Sequence, residues 1–202
     1  LGWRLNYTER CLDHSGGRFD DGFAGGGLYV HNDTREPVKG SPFIFLEATR
    51  EAEFLINKDR RKPVQLHVDY FFTEADRHAY MHLDKVLRET GYGPKIGNGI
   101  YVDHARFQDK ADAIIEFIKK KSPRNGRSIF ALDQYGYKEV PAHLLRKIFD
   151  ALPSAEVTAT ARVVAEARGG LEPRRDRLEH LVADHVAVRV VQCLEVVDVD
   201  HE

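Results

Sequence analysis

Thiols are nearly absent. Cys11 and Cys193 lie far apart with no second cysteine near either, which excludes a CxxC metal or redox site. So few cysteines suit a reducing cytoplasm. Long apolar runs are missing as well: nothing approaches the roughly 18 residues of a membrane-crossing helix. No charged-then-apolar leader opens the chain at Leu1, so neither membrane insertion nor secretion is expected. Charge of one sign is also lacking. Thirty Lys+Arg against 32 Asp+Glu leave a net charge of −2, which excludes the strongly basic whole-protein field of many nucleic-acid binders. Finally, no Lys-Ser or Lys-Thr follows the glycine-rich stretch near residue 25, so a phosphate-gripping Walker loop has no support.

What is present is that glycine stretch: Asp20-Asp21-Gly22-Phe23-Ala24-Gly25-Gly26-Gly27. Glycines let the backbone turn sharply and can present bare N–H groups to a ligand. A carboxylate just before the turn is a poor neighbour for pyrophosphate and a good one for a cationic or hydroxylated ligand. S-adenosylmethionine, with its ammonium, sulfonium and ribose, fits that description. The bland alternative is a surface turn.

Further along, strand and helix patterns alternate. An irregular stretch runs from Leu28 to Gly40, and Ser41-Pro42 opens a helix with Ser at the cap and an apolar side of Phe43, Leu46, Phe54 and Leu55. Val64 to Thr73 reads as a strand closed by Glu74, and Asp76 to Thr90 as a helix stopped by Gly91. Gly99 to Val102 is a short strand leading to Asp103, followed by a helix from Asp109 to Lys120. Ser128 to Leu132 is a strand ending at Asp133, and Pro141 to Leu152 is a helix. This order predicts an α/β three-layer sandwich, a Rossmann-like, mostly parallel sheet between helices. Ligands bind such sheets beyond the carboxyl ends of the strands. Asp21, Glu74, Asp103 and Asp133 all stand there. Glu74 is placed to accept ribose hydroxyls, Asp103 to reach an adenine amino group, and Asp21 to lie under the amino-acid end of the ligand. Singly, each acid reads equally as loop punctuation.

Asp21 to Gly27, Gly40-Ser41-Pro42, Phe72-Thr73-Glu74-Ala75-Asp76 and Asp133-Gln134-Tyr135-Gly136-Tyr137, in this order and spacing, resemble the three-Cys-motif partner (TcmP) family. The resemblance runs from about Phe19 to Phe149. It implies a fold of the class I methyltransferase type, S-adenosylmethionine as cofactor, and methyl transfer to an acceptor the residues do not name. It also implies, as a possible partner, a radical-S-adenosylmethionine-like protein with three cysteines. The cofactor residues it points to are Asp21, Gly22, Gly25, Gly27, Glu74 and Asp103. The fourth-strand piece is similar to the [Asp/Asn]-Pro-Pro-[Tyr/Phe] loop of amino-methyltransferases, which implies catalytic roles for Asp133, polarising an N–H, and Tyr135, stacking on a planar acceptor. The alternative is that Tyr135 and Tyr137 pack under the next helix.

Two departures from the family stand out. The first strand offers only Phe19 as an apolar residue, and Asp20 falls where a core side chain is expected, a costly burial if unpaired. Gln134 replaces the family's proline. Both favour a non-catalytic partner that keeps the fold. A dinucleotide-dependent oxidoreductase suits Glu74 but not Asp20-Asp21.

Elsewhere, His78 and His82 have zinc-compatible spacing but no third ligand at a diagnostic interval, so an exposed helix face is the better reading. The basic runs Lys58–Lys62 and Lys119–Arg127 precede strands and read as a solvated rim. A nucleic-acid partner is only weakly supported by them. After Phe149 the alphabet changes: residues 150–202 contain no Lys, Ile, Phe, Tyr, Trp, Met or Asn. The expected division is a cofactor-binding domain over 1–152 and a divergent tail over 153–202. That tail either completes the sheet or is non-native sequence, such as an out-of-frame reading of a GC-rich gene.

Overall fold

A computed structural model describes residues 17–122, 127–132 and 140–158. Its main sheet has five strands: β1 (Gly17–Asp21), β4 (Val68–Glu74), β5 (Ile100–His104), β6 (Arg127–Ala131) and β7 (Ala155–Thr158). They lie in the order β5-β4-β1-β6-β7, and every pairing is parallel. The order reverses at β1, as in doubly wound sheets, so the topological switch point lies at the carboxyl end of β1, at Asp21.

Helices α1 (Ser41–Asn57) and α2 (Arg77–Glu89) cover one face, and α3 (Phe107–Lys121) and α4 (Ala142–Ala151) the other. Phe43, Leu46, Leu83 and Leu87 from α1 and α2 pack on Tyr70, Phe72 and Ile100. Ile114, Ile118, Leu145 and Ile148 from α3 and α4 pack on Phe71, Phe130 and Val157. Alternate residues of β4 thus serve opposite layers, as a strand buried on both faces requires. This is the Rossmann-like αβα architecture expected from the alternating pattern.

Local chemistry sets the boundaries. Asp76 caps α2 by accepting the Ala79 N–H at 2.8 Å, and Gly91 leaves the helix at φ +85°, the left-handed exit that glycine tolerates. Gly40, rather than Ser41, occupies the cap of α1, and Ser41-Pro42 form its first turn. The buried stripe of α1 is Pro42, Phe43, Leu46, Thr49 and Ala52. Phe54 falls beyond the flank of that stripe and is 70% exposed.

Three further differences from the sequence pattern bear on the site. The stretch 28–40 is not irregular: β2 (Leu28–Val30) and β3 (Pro37–Lys39) form an antiparallel ribbon. Strand β4 starts at Val68, because Asn57 and Glu53 of α1 hold the backbone of Val64 and Leu66 in a separate connection. And β7, inside the tail beginning at 153, pairs with β6, so the sheet continues through Thr158. Residues 159–202 lie outside the described residues.

The central strand is chemically odd. Arg18 aligns with Asp69 and Ser128, and Asp20 with Phe71 and Phe130, placing both charges on the α3/α4 face. Arg18 Nε lies 3.7 Å from Asp69 Oδ2, and Lys121 Nζ 2.6 Å from Asp69 Oδ1. Arg18 and Asp69 are buried at the amino edge, with Lys121 half exposed, and burial lowers the Arg18 pKa against the opposing pull of Asp69. Asp20 has no such relief: it is 1% exposed, and neither carboxylate oxygen has a hydrogen-bond partner among the described residues. Burial first, then Asp21 and Asp103, push its pKa well above 3.8.

Candidate functional site

The residues singled out by sequence meet at the carboxyl edge of β1, β4 and β5. Asp21 ends β1, 2% exposed, and its Oδ1 accepts the Phe23 N–H at 3.2 Å. Glu74 ends β4, half-buried. Its Oε2 accepts the Gly25 N–H and its Oε1 the Asp76 N–H, both at 2.7 Å. Asp103, next to last in β5, is ion-paired with Lys110 of α3 at 2.9 Å. Asp133, Tyr135 and Tyr137 lie outside the described residues.

The turn between β1 and β2 has its donors fully engaged over five consecutive residues. Gly22 N–H goes to Ala131 O, Ala24 N–H to Thr73 O, Phe23 to Asp21, Gly25 to Glu74, and Gly26 to the Tyr29 hydroxyl at 3.1 Å. His82 Nδ1 donates to Gly26 O at 2.7 Å. The expectation that this turn presents bare N–H groups therefore fails for residues 22–26. The helix that would add its N-terminal donors in a dinucleotide site begins only at Ser41, after the ribbon.

Each glycine has a neighbour where its side chain would be. A Cβ on Gly22 would meet Leu132 at 2.7 Å and Phe107 at 2.9 Å. One on Gly27, where φ is +77°, would meet Leu83 at 2.6 Å and Phe43 at 3.0 Å. One on Gly25, at φ +60°, would collide with the Tyr29 hydroxyl. Close packing of the protein on itself thus accounts for the glycine content. Sequence reasoning passed over Tyr29, Phe107 and Lys110, and weighed His82 only as a metal ligand or an exposed helix residue, not as a partner of Gly26; an aromatic four residues past a glycine, or a lysine in the next helix, carries no signal of its own.

His78 and His82 are exposed on α2, and among the described residues no group of three or more His, Cys, Asp and Glu is placed to hold a metal ion. Among the described residues no helix is long and apolar enough to cross a membrane. Lys58–Lys62 and Lys119–Lys121 are solvent-exposed at the amino edge. An open cleft of about 550 Å³ between α3 and α4 is lined by Lys119, His143, Arg146, Lys147, Asp150 and Ala151. It contains none of the acids above.

No protein-family model matches the chain, and no curated protein matches it. Among solved structures it is similar to the crystal structure of a protein from Legionella pneumophila strain Philadelphia 1 of the family-model DUF519. The two are 14% identical, with a TM-score of 0.50, over 82% of this chain and 72% of that one. At that identity the likeness shows the fold alone.

Proposed function

We propose that the protein binds S-adenosylmethionine at the carboxyl edge of β1, β4 and β5 and is methyltransferase-like, of the three-Cys-motif partner type. One observation carries the reading: Glu74, ending one strand, faces the glycine turn that follows the neighbouring strand, with Gly25 on its Oε2. A carboxylate has about four acceptor positions, so two backbone bonds leave room for ribose hydroxyls. Asp21 supports the ammonium and sulfonium end, and Asp103 the adenine end once Lys110 shares or yields its oxygen.

Electrostatics separates this ligand from a dinucleotide. Two like charges 4 Å apart repel by about 4 kcal/mol at an effective dielectric of 20, so Asp21 and Glu74 disfavour pyrophosphate. The engaged N–H groups of residues 22–26 remove the usual compensation. Acid along the carboxyl edge of β1, β4 and β5 suits a cationic nucleoside.

Methyl transfer would come mainly from positioning donor and acceptor. Roles for Asp133 and Tyr135, on an N–H acceptor, rest on the resemblance. A second reading, a non-catalytic partner that keeps the fold, is favoured by the Asp103–Lys110 pair and by the self-packed glycine turn. Calorimetric titration with S-adenosylmethionine separates the two: micromolar binding supports the first, and no binding by a folded sample supports the second.

A further inference from the structure

Four of the five engaged donors in the turn end on groups the fold cannot lose cheaply: two backbone carbonyls and the carboxylates of Asp21 and Glu74. The fifth, Gly26, ends on a single phenol. Tyr29 is 48% exposed, pairs with Val38 across the ribbon, and turns its hydroxyl inward to the Gly26 N–H at 3.1 Å. Its ring runs close over Gly40, where a Cβ would lie 2.8 Å from Cε2. The carbonyl of Gly26, in the next peptide unit, is held by His82.

We infer that Tyr29 is a positioning residue that sets the ligand class of the carboxyl edge. By occupying the Gly26 amide, it withholds from phosphate the one donor of the turn that a side-chain hydroxyl controls. The inference rests on the nucleoside reading of the carboxyl edge given above and names its substrate class: nucleosides carrying hydroxyls and positive charge, with phosphorylated nucleotides refused. Packing and capping are separable here, because phenylalanine fills the same space without the hydroxyl. A freed N–H donating to a charged phosphate oxygen is worth about tenfold in affinity.

The test compares the whole chain with Tyr29→Phe, titrating each with ADP and with S-adenosylmethionine, and follows amide hydrogen exchange at Gly25 and Gly26. Tyr29→Phe is expected to bind ADP about tenfold more tightly than the parent, with the S-adenosylmethionine affinity changed less than about threefold. Exchange should quicken at Gly26 and stay slow at Gly25. Tyr29→Leu, which also lacks the hydroxyl, gives the same ADP gain if Tyr29→Phe folds poorly. An ADP affinity unchanged in folded variants overturns the inference, as does an equal shift of both ligands. A parent that binds no S-adenosylmethionine sinks the proposed cofactor instead, and the ADP gain in Tyr29→Phe then still decides the role of the tyrosine.

Discussion

Glu74 and Gly25 are joined at 2.7 Å, carboxylate to backbone N–H, across the ends of two neighbouring strands. Through its other oxygen Glu74 also holds Asp76, the residue that caps α2. One side chain therefore ties the glycine turn to the start of a helix, and any ligand that Glu74 accepts is sensed by both.

Gly25 lies at φ +60°, a conformation that costs an L-residue about 1–2 kcal/mol, and its missing side chain makes way for Tyr29. Gly25→Val is expected to lose at least about 2 kcal/mol of stability in urea titration and to abolish ligand binding. A variant with the parent's midpoint would show that the turn relaxes freely.

Asp69 faces the buried Arg18, the two side chains being 8% and 2% exposed. Removing one partner of a buried pair destabilises by about 3–5 kcal/mol, and Asp69→Ala should fall in that range. Lys121, half exposed on the same carboxylate, should matter far less, with Lys121→Met costing about 1 kcal/mol or less. Equal losses for the two variants would contradict the assignment of the charge balance to Arg18.

Asp20 makes stability depend on pH in an unusual direction. Its pKa in the fold is raised, chiefly by burial and then by Asp21 and Asp103, well above the unfolded value of 3.8. The folded state thus binds the extra proton, so this contribution is complete below 3.8 and is lost as pH rises through the folded pKa. Across that window the parent should lose up to about 1.4 kcal/mol per pH unit from this group. Asp20→Asn should flatten the profile, which chemical denaturation at a series of pH values would reveal. Parallel profiles would mean that Asp20 finds water or a cation.

Much of this arrangement could be read from residues alone. Alternating patterns with Asp21, Glu74 and Asp103 at strand ends imply a parallel sheet with an acidic carboxyl edge, because strand period and helix punctuation are local properties. The misfit of Asp20 was also visible, since it interrupts a central strand. What stayed hidden depends on contacts distant in sequence. Gly25 meets Glu74 and Gly26 meets His82 only after β4 and α2 are placed, so a turn resembling a ligand cradle proved to be packed on its own protein. The ribbon of Leu28–Val30 with Pro37–Lys39 was missed because two three-residue strands around a polar loop barely exceed the noise of β propensity. Lys110 reaches Asp103 only through the fold of α3 back onto β5.

The tail offers a test at the level of the gene. Seven residue types vanish after Phe149, while the sheet continues through Thr158. If the tail is an out-of-frame reading, retranslating the other two frames beyond codon 150 yields, in one of them, sequence rich in Phe, Ile and Lys. If neither frame does so and protease leaves 159–202 intact, the tail is native sequence.

The central claim is that the acid-lined carboxyl edge binds S-adenosylmethionine through Glu74. Isothermal titration of the parent and of Glu74→Ala tests it most directly, with folding of both checked by circular dichroism. The account predicts micromolar, one-to-one binding by the parent and a loss of roughly 1.5–3 kcal/mol, about tenfold or more, in the variant. A folded parent that shows no binding, or a folded Glu74→Ala that binds as tightly as the parent, would contradict it.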